Sequence, residues 1–272
     1  MPELPEVETI VRELRAIVPG KKFMRMRAYF KPVLKPSARY LSDNIRGLEV
    51  LDVGRRGKFI IFVLSGDMRM VVHLRMTGRL TWETAENRKK FVRASFYFTD
   101  GTVLNFSDVR KFARIWLYAE NDFEKLTGIS RLGPEPLEMS LKEFMELFQG
   151  KRGILKNTLL RQDVIAGIGN IYADEICHEI GLHPASRLEK VGNKKYREMY
   201  SAIKTCLRAG IKHCGVSVSD FAGTRGDLGR HQHYLKVYGR GGEKCHACSS
   251  PIRKTRVAGR GTYYCPKCQP AR

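Results

Sequence analysis

The sequence lacks any long apolar run. No stretch approaches the roughly 18 consecutive apolar residues that a membrane-spanning helix needs, and no lipidation signal is present. The N-terminus also lacks the basic and then apolar pattern of a secretory signal peptide. We therefore expect a soluble, cytoplasmic protein that has no membrane partner.

Acidic residues are also scarce. The 272 residues include 49 Lys and Arg but only 28 Asp and Glu, which gives a formal net charge of +21. A solvated, salt-bridged surface would carry nearly balanced signs, so the excess predicts a polyanionic partner. Nucleic acid is the leading candidate, ahead of an anionic membrane surface, because neutralising phosphates releases condensed counterions. Hydrophobic residues make up 43%, which is typical of a folded chain, and the length suits two or three domains.

Cysteines are few, and four of the seven form two CxxC pairs separated by sixteen residues. This spacing is typical of a zinc ribbon, in which two hairpin knuckles bring four thiolates to one ion. A closed set of four thiolates predicts one structural Zn²⁺. The predicted ligands are Cys245, Cys248, Cys265 and Cys268. Basic residues surround the intervening turn and indicate either phosphate contacts or a solvated face: Arg253, Lys254, Arg256 and Arg260. The other cysteines, interpreted as packed thiols, are Cys177, Cys206 and Cys214.

Strand-like and helix-like patterns occupy different parts of the chain. Short runs rich in Val, Ile and Phe begin at 58–64 and continue to about residue 120, with a hairpin turn at Asp100-Gly101. Because no helical pattern separates these runs, they predict a β-sandwich or barrel. Residues 5–18 are the exception, with apolar residues at helical spacing. A Gly- and Pro-rich stretch follows at 128–140. Beyond it, helices are predicted after a Ser140 cap and over roughly 152–162, 169–180 and 192–213.

Six motifs, in order along nearly the whole chain, resemble those of the formamidopyrimidine-DNA glycosylases of the Fpg/Nei family. They are PELPEVET at the start, GRRGKFI around Lys58, HLRMTG at 73–78, DVRKF at 108–112, AGIGNIYADE at 166–175 and GRGTYYCPKCQ at 259–269. The resemblance implies an α+β multidomain fold: an N-terminal β-sandwich with an N-terminal helix, a helix–two-turn–helix domain and a C-terminal zinc ribbon. The expected boundaries are 1–130 for the sandwich, 131–139 for a linker, 140–234 for the helical domain and 235–272 for the ribbon.

The resemblance also implies a bacterial base-excision-repair enzyme, a monomer associated with the nucleoid through double-stranded DNA that contains damaged bases or abasic sites. It would remove oxidised purines such as 8-oxoguanine and formamidopyrimidines, and then cleave the strand by β- and δ-elimination. The opening PELPEVET, in place of a PEGPE-type opening, favours this purine branch. Two alternatives stay open: a Nei-type enzyme for oxidised pyrimidines, and a non-catalytic nucleic-acid-binding protein. Residues 220–238 match a variable loop of the family and leave the preferred lesion undecided.

The resemblance assigns catalytic roles at the matching motif positions. Removal of the initiator methionine would leave Pro2 with a secondary amine. N-terminal amines have pKa values of about 7.7–8.0, so part of this amine is unprotonated at neutral pH. Pro2 would attack C1′ of the damaged nucleotide, with Glu3 as general acid and base and Glu6 as a supporting acid. Lys58 is expected at the phosphate beside the lesion and in elimination, and Arg260 at a phosphate and in δ-elimination. Alone, Pro2 and the acids would also suit a helix N-terminus.

Further residues match DNA-contacting positions of the family. Extruding a base leaves a gap in the duplex, and Met76, Arg110 and Phe112 would fill it, with the arginine facing the orphaned cytosine. Phosphate contacts are also expected from His73, Lys156 and Asn170. The alternatives are core packing for Met76 and Phe112, a buried structural role for His73, and helix capping for Asn170.

Overall fold

The computed structural model describes residues 1–84, 90–217 and 222–270. The chain divides into two compact units. The first comprises Met1–Arg131 and His213–Arg230, and the second comprises Leu132–Lys212 and His231–Arg272. The first unit is therefore built from two separate stretches of sequence. Within the described residues, no helix is long and apolar enough to cross a membrane.

In the described part of the first unit, nine strands form two sheets. The strands are β1 (Phe23–Ala28), β2 (Leu34–Lys35), β3 (Val50–Arg56), β4 (Phe59–Leu64), β5 (Met68–His73), β6 (Gly78–Glu83), β7 (Val92–Phe98), β8 (Val103–Asp108) and β9 (Arg114–Ala119). The sheet orders are β1-β7-β8-β6 and β2-β9-β5-β4-β3. Strand β2 pairs in parallel with β9, whereas the neighbouring pairs are antiparallel. Side chains of both sheets, such as Phe62 and Phe96, belong to one buried core, which confirms the predicted β-sandwich.

Helices of the first unit are α1 (Leu4–Arg15), α2 (Ala38–Ile45) and α3 (Glu120–Thr127). Helix α1 buries its apolar face, including Val7 and Leu14, and packs along β3, which confirms the helical pattern in 5–18. It ends at Arg15, earlier than predicted, and the nearby Pro19 disfavours helical backbone in the residue before it. Helices α2 and α3 were not predicted, because eight residues each give too short a window for a clear helical period.

Residues 213–230 pack with the sandwich, whereas the expected boundaries placed them with the helical domain. The backbone N–H of Trp82 in β6 donates to the carbonyl oxygen of Thr224 at 2.8 Å. The carboxylate of Glu13 on α1 accepts from the N–H of Thr224 at 2.5 Å. These hydrogen bonds join residues that are far apart in sequence. They explain why residues 213–230 belong to the first unit and not to the helical unit that precedes them in the chain.

The described residues of the second unit form helices and one hairpin. The helices are α4 (Leu141–Phe148), α5 (Leu155–Leu160), α6 (Asn170–Glu179) and α7 (Asn193–Lys212), and the hairpin strands are β10 (Arg253–Val257) and β11 (Arg260–Tyr264). The Ser140 hydroxyl caps α4 as predicted, accepting from the N–H of Glu143 at 3.2 Å. Helices α6 and α7 match the predicted ranges. Helix α5 begins later than predicted because Gly153 has a φ of +113°, outside the helical region. Short 3₁₀ helices in the two units are Lys31–Val33, Ile129–Arg131, Leu188–Lys190 and His231–Tyr234.

Candidate active site

Pro2 and Glu3 lie immediately before α1. Pro2 is buried, and Glu3 is the N-cap residue of the helix, with 2% of its surface exposed. The side chains of Glu3 and Glu6 form a capping box, in which Oε2 of Glu6 accepts from the N–H of Glu3 at 2.9 Å. The capping interpretation and the catalytic interpretation thus concern the same residues, and they are compatible. The capping box fixes the residue that follows Pro2.

Helix α1 also holds the stretch 213–230. Oε1 of Glu6, a buried side chain, accepts from the backbone N–H of Val216 at 2.8 Å. Further along the helix, Glu13 accepts from the N–H and the hydroxyl of Thr224, at 2.5 and 2.7 Å. Residues 220 and 221 of the predicted lesion loop lie outside the described residues. Val216 and Thr224, one on each side of these residues, are anchored to the helix that carries the predicted nucleophile at its start.

Lys58 and His73 lie near each other at the ends of two paired strands, and both are buried. Lys58 precedes β4, and β4 pairs with β5 so that Phe59 lies opposite His73. Burial, followed by the charges of Arg75 and Lys58, lowers the pKa of His73 to about 3. Nδ1 of the neutral ring accepts from the N–H of Arg75 at 3.0 Å, so Nε2 carries the ring proton. The ring is thus a neutral hydrogen-bond donor next to a cation.

Met76, Arg110 and Phe112 come together on two neighbouring loops. Nη1 of Arg110 lies 3.0 Å from the sulfur of Met76, and its guanidinium carbon lies 4.9 Å from the ring centroid of Phe112. Met76 and Phe112 are 41% and 50% exposed, so neither is a core residue. The sequence placed these three residues in one role, and the structure places them in one exposed cluster.

Asp108 holds these loops and was missed by the sequence analysis. It is 1% exposed. Oδ1 accepts from the hydroxyl of Thr77 at 2.5 Å and from the N–H of Arg110 at 3.1 Å, and Oδ2 accepts from the N–H of Ala113 at 2.8 Å. The motif DVRKF contains this aspartate at its first position. An acid placed two residues before a predicted wedge arginine was the available signal, since Asp side chains commonly bond to the backbone two residues ahead.

Asn170 begins α6 in the second unit. Its Nδ2 donates to the carbonyl oxygen of Gly261 at 3.0 Å, and the residue is partly exposed. The cap position is taken by Gly169, and Gly167 has a φ of +84°, a backbone conformation that favours glycine. The N-terminus of α6 thus has the backbone geometry expected from AGIGN, and Asn170 connects it to the hairpin of the ribbon.

Lys156 differs from its sequence-based prediction. The side chain is completely buried, with its ammonium 2.7 Å from Oδ1 of Asp174. The ammonium also donates to the carbonyl oxygen of Gly261 at 2.9 Å and to the hydroxyl of Thr262 at 2.8 Å. The charge of the ammonium is thus paired with Asp174, and it donates two hydrogen bonds within the protein. The predicted phosphate contact therefore has no support in this geometry. Arg260, the predicted partner in elimination, is exposed at the start of β11.

The cysteines of the two CxxC pairs converge. Their four sulfur atoms all lie within 4.8 Å of one another, with 3.4 Å between Cys248 and Cys265 and 3.9 Å between Cys245 and Cys268. Hydrogen bonds from Ser250 lower the pKa of Cys248 to about 6, which favours its thiolate form. This donor set fits one structural Zn²⁺ with tetrahedral thiolate coordination, as the sequence predicted.

The three remaining cysteines differ in their surroundings. Cys177 is buried and Cys206 is partly buried, in accord with packed thiols. Cys214 is exposed, so its interpretation as a packed thiol is wrong. It follows α7 with a φ of +57°, and the chain turns there before residues 215–230 return to the sandwich. The helix-like sequence around Cys214 did not indicate this turn.

Three family descriptions match successive parts of the chain. Residues 1–115 match the formamidopyrimidine-DNA glycosylase N-terminal domain, 132–222 match the formamidopyrimidine-DNA glycosylase H2TH domain, and 242–271 match the zinc finger found in FPG and IleRS. The formamidopyrimidine-DNA glycosylase of Lactobacillus johnsonii is 37% identical over 272 residues, which cover 99% of each chain. That of Desulforamulus reducens is 38% identical over 277 residues, with both chains fully covered.

Solved structures of a formamidopyrimidine-DNA glycosylase (Fpg) are also similar to this chain over nearly its whole length. The Lactococcus lactis Fpg bound to DNA containing an abasic site has a TM-score of 0.92 and 33% identity, covering 99% of this chain and all of that one. A variant of the same enzyme bound to Fapy-dG-containing DNA has a TM-score of 0.93, with the same identity and coverage. Another complex of that enzyme contains an oxidised-pyrimidine DNA, with a TM-score of 0.91, 34% identity and the same coverage.

Proposed function

Because the chain belongs to the formamidopyrimidine-DNA glycosylase family, we propose that Pro2 is the nucleophile with which it excises oxidised purines from duplex DNA. The protein is a base-excision-repair DNA glycosylase and abasic-site lyase. The observation that carries the assignment of Pro2 is its position at the start of α1, directly before the buried capping box of Glu3 and Glu6. A nucleic-acid-binding protein without catalytic activity would not require a buried carboxylate beside an N-terminal amine.

The reaction begins once Met1 has been removed. The nitrogen of Pro2 attacks C1′ of the damaged nucleotide, and the base leaves with the electron pair of the glycosidic bond and takes up a proton. Glu3 supplies a proton to the ring oxygen as the sugar opens, and the amine nitrogen becomes part of an iminium at C1′. The iminium acidifies C2′, so loss of a C2′ proton expels the 3′ phosphate. A second elimination expels the 5′ phosphate, and water then hydrolyses the iminium and frees Pro2.

Both cationic and neutral hydrogen-bond donors bind the phosphates of the damaged strand. Lys58 binds the phosphate beside the lesion, and the neutral His73 next to it donates a hydrogen bond to a phosphate oxygen through Nε2. A neutral donor adds no second positive charge beside the lysine, so the two side chains can share one buried site. In the second unit, Asn170 and the N-terminus of α6 bind another phosphate, and Arg260 assists δ-elimination.

The exposed cluster of Met76, Arg110 and Phe112 occupies the gap left by the extruded base. Loss of stacking costs a few kcal/mol, and an apolar wedge offsets part of it. The guanidinium of Arg110 provides donors for the acceptor groups of the unpaired cytosine. Asp108 fixes the backbone of this loop through the N–H groups of Arg110 and Ala113, so the wedge requires little ordering when DNA binds.

Borohydride trapping tests the nucleophile directly. Reduction of the iminium should join the protein to an oligonucleotide containing an abasic site, and Pro2→Gly should lose the adduct. Met76→Ala is the matched control, since it alters the wedge and leaves the amine in place. Absence of an adduct from wild-type protein with Met1 removed would rule out Pro2 as the nucleophile.

Oxidised pyrimidines are the second candidate substrate class. The observation in favour is the structural similarity to an Fpg complex with oxidised-pyrimidine DNA. Excision should be compared between duplexes with 8-oxoguanine opposite cytosine and 5-hydroxycytosine opposite guanine. Faster excision of 8-oxoguanine supports the purine assignment, and the reverse order supports the pyrimidine one. We place this activity in the bacterial cytoplasm, where the protein works as a monomer on the nucleoid.

A further inference from the structure

Lys156 and Asp174 form a buried ion pair between α5 and α6. Both side chains are 0% exposed, and the ammonium nitrogen and Oδ1 are 2.7 Å apart. Burial raises the pKa of Asp174 to about 7, although Lys156 lowers it. Replacing a buried ion pair by well-packed apolar residues is often neutral for stability, so stability alone explains this pair poorly. Its neighbours indicate a different role.

The three residues that follow Arg260 in β11 are each hydrogen-bonded to this pair. Lys156 donates to the carbonyl oxygen of Gly261 at 2.9 Å and to the hydroxyl of Thr262 at 2.8 Å. Oδ2 of Asp174 accepts from the N–H of Tyr263 at 2.9 Å. The Thr262 hydroxyl in turn donates to the carbonyl oxygen of Arg260 itself, at 3.0 Å. The ion pair is thus connected to the backbone of Arg260 through the hydroxyl of Thr262.

Other contacts hold the remainder of the ribbon independently of this pair. Glu175, the next residue on α6, accepts from the backbone N–H groups of Lys236, Val237 and Tyr238, at 2.8, 2.9 and 2.8 Å. The thiolate cluster closes the knuckles. The ribbon therefore keeps the Glu175 contacts and its closed knuckles when the ion pair is removed. Gly261 also keeps the hydrogen bond from Nδ2 of Asn170, so the loss of the pair is felt mainly at Thr262 and Tyr263, beside Arg260.

We propose that Lys156 and Asp174 form a positioning pair that aims Arg260, and that Lys156 itself never touches DNA. The side chain of Arg260 is long and exposed, so the direction of its guanidinium depends on how firmly the backbone of β11 is held. The inference rests on the proposed function of Arg260 in phosphate binding and δ-elimination. It predicts that changes at Lys156 act only through Arg260.

A double-mutant cycle tests this prediction, with Lys156→Met, Arg260→Ala and both together in the full chain containing zinc. The measured quantities are the ratio of δ- to β-elimination products and the salt dependence of binding to an abasic-analogue duplex. A misplacement of about 1 Å can cost up to about a hundredfold in rate. Lys156→Met should therefore lower the δ-product by about tenfold or more, and it should have no further effect once Arg260 is Ala.

The salt dependence separates positioning from contact. A lysine that neutralises a phosphate contributes about 0.9 to the slope of log affinity against log salt concentration. Lys156→Met in the Arg260→Ala background should leave that slope unchanged. A fall of about 0.9 there, or an additive loss of δ-product, overturns the inference. If Arg260→Ala alone leaves both readouts unchanged, the proposed role of Arg260 fails, and this inference fails with it.

Two further variants control for folding and for charge. Lys156→Met leaves the carboxylate of Asp174 buried without its partner, so Lys156→Met/Asp174→Leu removes both charges together. This double variant should bind one zinc per chain and still show the loss of δ-product. Lys190→Met makes the same chemical change at an exposed site of the second unit and should preserve the wild-type product ratio. A wild-type product ratio in the zinc-loaded double variant Lys156→Met/Asp174→Leu would contradict the positioning role.

Discussion

Replacing Glu6 by Gln tests whether one carboxylate holds both the start of α1 and the stretch 213–230. The two oxygens of Glu6 accept the backbone N–H groups of Glu3 and Val216, at 2.9 and 2.8 Å. Gln offers one carbonyl oxygen and one NH₂ group, so one of the two N–H groups would meet a donor in place of an acceptor. Because Glu6 is 1% exposed, water has little access to replace the lost acceptor.

We expect this substitution to lower the free energy of unfolding by about 2–3 kcal/mol. A buried donor left without an acceptor costs about 1–3 kcal/mol, and a hydrogen bond to a charged group contributes about 1.5–3 kcal/mol. For a unit of this size the corresponding fall in Tm is about 4–12 °C. Trapping of the DNA adduct should weaken as well, because Glu3 directly follows Pro2, the proposed nucleophile.

Tryptophan fluorescence during urea unfolding measures the effect in the correct part of the molecule. The two tryptophans of the chain, Trp82 and Trp116, both belong to the first unit. Glu124→Gln is the matched control, because it makes the same change at an exposed position of α3 and should shift stability by no more than about 0.5 kcal/mol. If Glu6→Gln unfolds at the same urea concentration as this control, the carboxylate does not bridge the two segments.

Three further predictions concern other parts of the site. Cys248→Ser should reduce bound zinc below one per chain in a chromogenic zinc assay, and unchanged DNA affinity would argue against a ribbon that contacts DNA. Arg110→Ala should weaken discrimination between cytosine and adenine opposite the lesion, with stability unchanged within about 0.5 kcal/mol; full discrimination would refute its role. The pKa of His73 is about 3 when folded and 6.5 ordinarily, so the unfolded chain binds the extra proton between these values. Stability should therefore fall as pH decreases through this window, by up to about 1.4 kcal/mol per pH unit, and His73→Asn should flatten the decrease.

Local spacing made much of this molecule predictable. Two CxxC pairs predict converging thiolates because each knuckle is a short hairpin, and the sulfur atoms do converge. The sandwich was predictable from alternating apolar runs, and α1 from the spacing of Val7 and Leu14. The proximity of Met76, Arg110 and Phe112 was predictable because the motifs HLRMTG and DVRKF carry these side chains themselves.

Pairings between distant residues were not predictable in the same way. Lys156 was expected at a phosphate because the sequence shows a positive charge but not the residue that pairs with it. That residue is Asp174, which lies on the following helix. The return of residues 213–230 to the sandwich depends on Glu13 and Thr224, whose separation in sequence gives no periodic signal. Both differences arise from carboxylates, Asp174 buried and Glu13 partly buried, whose partners become visible only in three dimensions.

The return of residues 213–230 to the first unit has a consequence for exchanging parts between relatives. A fragment that ends at Arg131 would contain Pro2, Lys58 and the wedge, but it would lack the stretch that Glu6 and Glu13 bind. A chimaera joined at a single crossover near residue 131 would therefore combine one parent's helix α1 with the other parent's residues 213–230. Two further crossovers, before residue 213 and after residue 230, would be needed for the chimaera to inherit the first unit intact from one parent.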